Sequence, residues 1–369
     1  MSKKGINIIV PTYKAEKYII NLLNSLKNQT IDYNLFEAIF IINGKKDNTE
    51  NIIKEFKNKN PEINIKIIES NQGICIARNK GLEEVDREYV IFIDNDDYIS
   101  PKYLEVLYKH RADKRIVLGN FYNLNEKTKK LEKTNFTDSL LNNEGITNPN
   151  KIAIDAMFIT TNKLIPFKYI KNIRFNEKIV TGEDIEYFSR VYGKNDFEFY
   201  IVKNSEEANY YRVFRSDSES NQNISYNFNV KERLNTMECI DKTLDNIENK
   251  KMKNIIYDAN YKGQRNFIIR YLVKYPQNYR KVLNEIDKHD FKHFDYDKFN
   301  EDTITNLYNI INEKNKKISQ LKQLNQSNIK EKNENIKNLK KMNQSLLNSK
   351  SWKITKPLRK LKNLIKQNF

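Results

Sequence analysis

The stretch that decides the fold is Tyr89-Val90-Ile91-Phe92-Ile93-Asp94-Asn95-Asp96-Asp97-Tyr98-Ile99-Ser100-Pro101. Five apolar or aromatic residues, Tyr89 to Ile93, predict a strand buried on both faces of a sheet. Three aspartates within four residues follow at once. Ser100 before Pro101 predicts an N-cap and a first helical turn, so a helix opens as soon as the acidic turn is passed. The carboxylates then fall on a short loop at the carboxyl end of an inner strand, where open α/β sheets keep their ligands. Carboxylates this close raise one another's pKa unless a cation lies between them. With coordination positions left for phosphate oxygens, they suit Mg²⁺ or Mn²⁺. A solvated acidic turn that caps a helix is the other reading of the same residues.

Upstream, Ile6 to Val10 predicts a first strand ending in Pro11-Thr12-Tyr13. Between Ala15 and Lys27, the apolar Tyr18, Ile19, Leu22, Leu23 and Leu26 have helical spacing. Phe36 to Ile42 is a second buried strand, followed by a helix from Glu50 to Phe56. Ile63 to Glu69 is a third, after which Asn71-Gln72-Gly73 turns into a helix carrying Ala77, Arg78, Asn79 and Leu82. Strands alternating with helices at this spacing predict an α/β fold with a parallel, doubly wound sheet. Its strand-end loops open on one edge.

Downstream, Arg115 to Phe121 predicts one strand, 123–150 a polar loop region, and Phe158 to Ile165 a return to the sheet. Glu183-Asp184 opens an apolar-periodic helix running to Tyr192. By itself that is an ordinary acidic helix start. Phe197 to Val202 and Ala208 to Phe214 predict two late strands, and Asn229 to Phe299 is helical. Ile304, Leu307, Ile311, Ile318, Leu321, Ile336, Leu339 and Leu346 step by threes and fours, a coiled-coil pattern with a skip near Asn325. A Lys/Asn-rich helix or linker fits the same residues. From Lys350 onward seven residues are basic and none acidic, and Ile354, Leu358, Leu361 and Ile365 share one stripe behind Trp352. That pattern predicts a helix lying on a membrane surface, or one docking on its own protein. The expected organisation is 1–225 catalytic, 226–300 a helical extension, 301–349 coil or linker, and 350–369 a basic amphipathic helix.

The net charge of +17 is concentrated rather than spread, with 16 Lys and Arg against 5 Asp and Glu after residue 300. No aromatic stacking platform or RNA-module signature accompanies it, so nucleic acid is not expected as a partner. Two distant cysteines and three histidines imply neither a disulfide framework nor a zinc site. No run of apolar residues is long enough to span a membrane. The first strand is too short for a signal sequence, and the expected location is cytoplasmic, peripheral on the inner face of the membrane.

Four segments, in order, resemble an inverting family 2 glycosyltransferase of the bacterial cell-surface polysaccharide type. They are Val10-Pro11-Thr12-Tyr13, the run Asn71 to Leu82, Asp94-Asn95-Asp96-Asp97 after its strand, and Glu183-Asp184 before an aromatic-rich helix. The resemblance implies a GT-A (Rossmann-like) fold, a mixed, mainly parallel sheet flanked by helices, and a UDP-sugar donor. It implies a glycan or lipid-linked acceptor. Asp96 is then the direct ligand of Mn²⁺ or Mg²⁺, with Asp94 on the ribose or the metal's water shell. Pro11, Thr12, Tyr13, Asn43 and Asn95 surround the nucleotide, Tyr13 by stacking on the base. Arg78, behind Gly73, reaches phosphate oxygens with its planar fork. Asp184 takes the acceptor hydroxyl's proton and Glu183 orients the site or meets the acceptor. Arg215 and Ser218 fall where family members close a loop on the diphosphate.

One segment departs from the family pattern. Ile42-Asn43-Gly44-Lys45 stands where an acidic residue commonly holds the base, although an amide can still accept from and donate to uracil. That departure supports a second reading, a catalytically degenerate sugar-nucleotide-binding scaffold that assembles through its coil. No Gln-x-x-Arg-Trp sequence occurs, which argues against a processive membrane polymerase.

Overall fold

The computed structural model describes residues 2–126, 128–214 and 224–348. The chain divides into two units, Met1–Phe299 and Asn300–Phe369. The first is built on an eight-stranded sheet. Its first half contains β1 (Lys3–Thr12), β2 (Phe36–Asn43), β3 (Ile65–Ser70) and β4 (Arg87–Phe92), with helices α1 (Ile19–Lys27), α2 (Thr49–Lys59) and α3 (Ile74–Glu83) between them. These four strands are mutually parallel, in the order β3-β2-β1-β4. Ile8, Ile9, Val10, Ile39, Phe40, Val90 and Ile91 have no exposed surface. Such runs are apolar throughout because helices cover both faces of the sheet. A Cβ on Gly81 of α3 would lie 2.4 Å from Ile9 Cγ2, so only glycine lets this helix sit so close to β1.

Past β4 the predicted regularity changes. Tyr98–Ile99 forms a two-residue strand, β5, before α4 (Tyr103–Lys109) begins. Ser100 therefore does not cap the helix. Its hydroxyl donates to Glu207 O at 2.6 Å and accepts from Asn209 N at 2.8 Å, fastening the loop to a distant strand. The capping acceptor for α4 comes instead from Gln29 Oε1, 3.0 Å from Leu104 N.

The run 115–121, expected as one strand, is two. β6 (Arg115–Leu118) stays in the main sheet, and β7 (Asn120–Asn125) crosses to a second sheet at Gly119, whose carbonyl is held by Asn162 Nδ2. The expected polar loop 123–150 contains β8 (Leu131–Glu132), α5 (Asn135–Leu141) and β9 (Gly145–Thr147). The two strands have only two and three residues, too few for alternation to show in sequence. α6 (Ile154–Phe158) and β10 (Lys163–Pro166) follow. β10 enters antiparallel between β4 and β6, which makes the sheet mixed. α7 (Glu183–Lys194), β11 (Glu198–Ile201) and β12 (Asn209–Phe214) complete the pattern. The main sheet reads β3-β2-β1-β4-β10-β6-β11-β9 and the second β5-β12-β7-β8.

Helices α8 (Glu232–Thr243), α9 (Lys250–Lys274) and α10 (Tyr279–Ile286) form the helical extension, with α8 and α9 packing on α7. α11 runs from Tyr296 to Asn348 as one helix of 53 residues. On it Ile318, Leu321, Ile336 and Leu339 are 50–64% exposed. Among the described residues no helix is long and apolar enough to cross a membrane. The predicted basic helix 350–369 lies outside the described residues.

Candidate active site

Parallel strands end on one edge, so Tyr13 after β1, Asn43 at the end of β2, Gly73 after β3 and Asp94 after β4 open together. Hydrogen bonds tie these loops to one another. Asn43 Oδ1 accepts from Gly73 N at 3.5 Å, and Asn95 Nδ2 donates to Tyr13 O at 3.4 Å. Pro11 and Thr12 are buried within β1, and the Thr12 hydroxyl donates to Val10 O at 2.8 Å. Tyr13 is the first residue of that segment to emerge, with Lys14 Nζ 5.1 Å from its ring centroid.

The three aspartates divide by environment. Asp97 is 3% exposed and accepts from the Tyr210 hydroxyl at 2.7 Å and from Val213 N at 2.9 Å. Both of its oxygens thus serve to anchor the turn on β12. Burial, then the Asp96 and Asp94 carboxylates, holds its pKa well above the ordinary range. Asp94 keeps 44% of its side chain open to solvent. The protein mass around it pushes its pKa up to about 6, Arg78 pulls it down, and Asp96 and Glu183 push it up again. Asp94 and Asp96, in the same turn, are both half-buried. Two carboxylates in one turn are hard oxygen donors of the kind Mg²⁺ or Mn²⁺ takes, and among the described residues no third His, Cys, Asp or Glu joins them as a metal-holding group.

Arg78 joins this turn to the second acidic motif. Its Nη1 donates to Glu183 Oε1 at 2.9 Å, and its Nη2 lies 3.9 Å from Asp94 Oδ1. The side chain is 7% exposed and packs 5.2 Å from the Phe175 ring. Burial disfavours its charge, but Glu183, Asp94 and Asp184 more than offset that, and its pKa is raised. The guanidinium expected on phosphate oxygens is here turned to carboxylates.

Helix α3 explains why Glu183 is within reach. Cys75, Arg78, Asn79 and Leu82 recur at helical spacing on one buried face. Cys75 Sγ lies 3.7 Å from Ile179 O. Asn79 exchanges two hydrogen bonds with the Phe175 backbone, its Oδ1 accepting at 2.7 Å and its Nδ2 donating at 2.9 Å. The run Asn71 to Leu82 thus clamps the segment 175–183.

The backing of that segment comes from the helical extension. Thr236 Oγ1 on α8 donates to Thr181 O at 2.7 Å. Gly182 has φ +80°, and a Cβ there would stand 2.9 Å from Gln264 Nε2 of α9. Asp184 is the second residue of α7, its Oδ1 accepting from Ile185 N at 2.8 Å. Burial pushes Asp184 up to about 6, Glu183 raises it further, and Arg78 lowers it.

Several groups near these acids were not foreseen from sequence. Arg212 on β12 is exposed, bonded through Nε to Asn123 Oδ1 at 3.0 Å, and its charge lowers the Asp94 pKa. Lys163 is completely buried and donates to Met157 O at 2.6 Å, and burial drives its pKa well below the ordinary lysine value, with Asp184 nearby the one group that raises it. Neither sits in a recognisable motif. Arg215 and Ser218, expected on a closing loop, lie outside the described residues. A cavity of about 430 Å³ against α3, lined among others by Glu69, Asn71, Lys80, Glu83 and Glu177, contains neither the acidic turn nor Glu183 and Asp184.

Comparison with known proteins agrees with this geometry. The model of the family described as Glycosyl transferase family 2 matches residues 7–174, which take in every strand-end loop but stop short of Glu183. The chain is 30% identical over 230 residues to poly(ribitol-phosphate) beta-N-acetylglucosaminyltransferase TarP of Staphylococcus aureus, covering 58% of this chain and 67% of TarP. It is 38% identical over 125 residues to glycosyltransferase GlyA of Streptococcus pneumoniae, covering 33% of this chain and 17% of GlyA. Over the first curated relatives the match spans only 17–35% of their length. Among solved structures, residues 1–349 of S. aureus TarS in complex with UDP-GlcNAc superpose with a TM-score of 0.58 at 22% identity, covering 74% of this chain and 81% of TarS 1–349. That likeness establishes the GT-A type of fold.

Proposed function

Because this chain belongs to glycosyl transferase family 2, we propose that it is an inverting glycosyltransferase acting on a UDP-sugar. It moves one hexosyl or N-acetylhexosaminyl unit to a hydroxyl of a bacterial cell-surface glycan precursor, of the capsule, lipopolysaccharide or teichoic-acid type. The observation that carries this reading is the buried Arg78 guanidinium placed between Asp94 and Glu183. It sets the acidic turn and the acidic helix start on either side of one cation. TarP is named as an N-acetylglucosaminyltransferase, which makes UDP-GlcNAc the first donor to try.

Asp184 acts as the base. It takes the proton from the acceptor hydroxyl while that oxygen attacks the anomeric carbon, and the bond from that carbon to UDP breaks on the opposite side. A pKa near 6 leaves Asp184 ionised at neutral pH and still basic enough to accept a proton. Glu183, held by Arg78, orients the entrance to that base. Asp96, with Asp94, would hold Mn²⁺ or Mg²⁺, which when bound would supply positive charge for the leaving diphosphate. Tyr13 stacks on the base, and Asn43, Asn95, Pro11 and Thr12 shape its cradle. Arg78 keeps the two halves of the site in register. The basic tail keeps the enzyme on the cytoplasmic face of the membrane near a lipid-linked acceptor, and α11 joins copies through its exposed apolar residues.

The test is UDP release from UDP-GlcNAc and other UDP-sugars with Mn²⁺, using Asp96→Ala and Asp184→Asn as controls. Turnover in the wild type that both substitutions abolish supports the assignment. Undiminished turnover in both variants removes it.

A further inference from the structure

Three tyrosines stand side by side on the second sheet. Tyr98 on β5 and Tyr122 on β7 are both register partners of Tyr211 on β12, so all three rings project from one face. Ring centroids are 5.2 Å apart for Tyr98 and Tyr211, and 6.4 Å for Tyr122 and Tyr211. Strand alternation sends their neighbours Ile99, Tyr210 and Phe121 to the opposite face, where each is at most 3% exposed. That opposite face is the core. The tyrosine face is only half-buried.

Its chemistry is selective. Asn209, Val213 and Leu124 share the face with the rings, and none of these side chains is charged. The ring edges are polar, since the Tyr122 hydroxyl donates to Asn204 Oδ1 at 2.9 Å and Asn209 Nδ2 donates to the Tyr211 hydroxyl at 3.2 Å. Flat apolar faces rimmed by amides and hydroxyls match a pyranose, whose C–H faces are apolar and whose edge carries hydroxyls. The row also continues from the reaction centre. Tyr98 follows Asp97, and Asp97 is bonded to Tyr210 and Val213 of the strand that carries Tyr211.

We propose that Tyr98, Tyr211 and Tyr122 form a subsite for the acceptor glycan, binding pyranose units beyond the hydroxyl that is glycosylated. Successive sugars lie with their C–H faces on the rings, and their hydroxyls meet Asn204 and Asn209. The subsite rests on the glycosyltransferase reading for its purpose, and on the three rings alone for its existence.

Saturation-transfer NMR on the full chain, with a chito-oligosaccharide and no donor, tests it. The wild type is expected to transfer saturation to pyranose ring protons. The double variant Tyr98→Thr/Tyr211→Thr keeps strand-favouring side chains and is expected to bind roughly tenfold more weakly. Tyr211→Phe keeps the ring and is expected to retain binding. UDP affinity and donor turnover without acceptor should be unchanged in all of them. Equal binding by the double variant, loss in Tyr211→Phe as large as in the double variant, or no transfer from the wild type overturns the subsite. So does a wild-type dimer that Tyr98→Thr/Tyr211→Thr dissociates, since a second copy would then cover the row. Oligosaccharide binding with no turnover of any UDP-sugar would sink the enzymatic reading and leave the subsite standing.

Discussion

Arg78 and Glu183 form a 2.9 Å ion pair that fixes the helix after the third strand to the start of α7, with Arg78 7% and Glu183 17% exposed. Removing one member of a buried pair strands the other charge, which costs about 3–5 kcal/mol. Arg78→Met should therefore lower stability by that order, seen in chemical denaturation. Glu183→Gln keeps an acceptor for Arg78 and should cost far less. Both should lower kcat for sugar transfer, because each loosens the geometry around Asp184.

The base assignment carries a pH dependence. The folded pKa of Asp184 is about 6, against an ordinary 3.8. Transfer needs the ionised form, so kcat/KM should fall as pH drops through about 6. A profile with its acid limb near 4 would mean that another group accepts the proton. The same shift has a stability consequence of fixed sign. A carboxyl whose folded pKa is raised contributes stability that is complete below about 3.8 and lost as pH rises through about 6. Asp184→Asn should therefore gain melting temperature relative to wild type as pH increases over that window.

Gly182 should tolerate no side chain. Its φ of +80° makes Gly182→Ala strained whatever the space, and the new Cβ would also oblige Gln264 Nε2, 2.9 Å away, to shift. The left-handed backbone alone costs about 1–2 kcal/mol. The substitution should lower the unfolding midpoint and, by shifting Asp184, reduce activity by more than the loss of folded protein explains.

Asp97 should behave as a structural acid although it lies in the same turn as Asp94 and Asp96. It accepts from the Tyr210 hydroxyl at 2.7 Å. Tyr210→Phe should cost about 1–3 kcal/mol, the usual penalty for a buried acceptor left short. The Mn²⁺ affinity of the UDP complex should change little in that variant. A metal defect equal to that of Asp96→Ala would mean that Asp97 is itself a ligand.

Much of this was readable beforehand, for physical reasons that can be named. The parallel half of the sheet announces itself because strands covered on both faces become unbroken apolar runs, as in Phe36 to Ile42 and Tyr89 to Ile93. The strand-end positions of Tyr13, Asn43 and Asp94 follow from that topology. Ser100 misled because it is followed by Pro101, a helix-start signal, yet its hydroxyl is taken by the distant Glu207 and Asn209 backbone. β8 and β9 were invisible because strands of two and three residues carry no period. The roles of Thr236 and Gln264 behind Gly182 depend on contacts across more than fifty residues of chain, which no local pattern encodes. The buried face of α3 was legible as a motif. Its work as a clamp on 175–183 appeared only with coordinates.

The central claim is that a divalent cation held by Asp96 with Asp94 binds the donor's diphosphate. Titration calorimetry of UDP into the full chain, with and without Mn²⁺, tests it most directly, with Asp96→Ala as the paired variant. The account predicts that Mn²⁺ tightens UDP binding by roughly tenfold or more in the wild type, about 1.4 kcal/mol, and leaves Asp96→Ala unmoved. Equal UDP affinity with and without Mn²⁺ or Mg²⁺ in the wild type would contradict it.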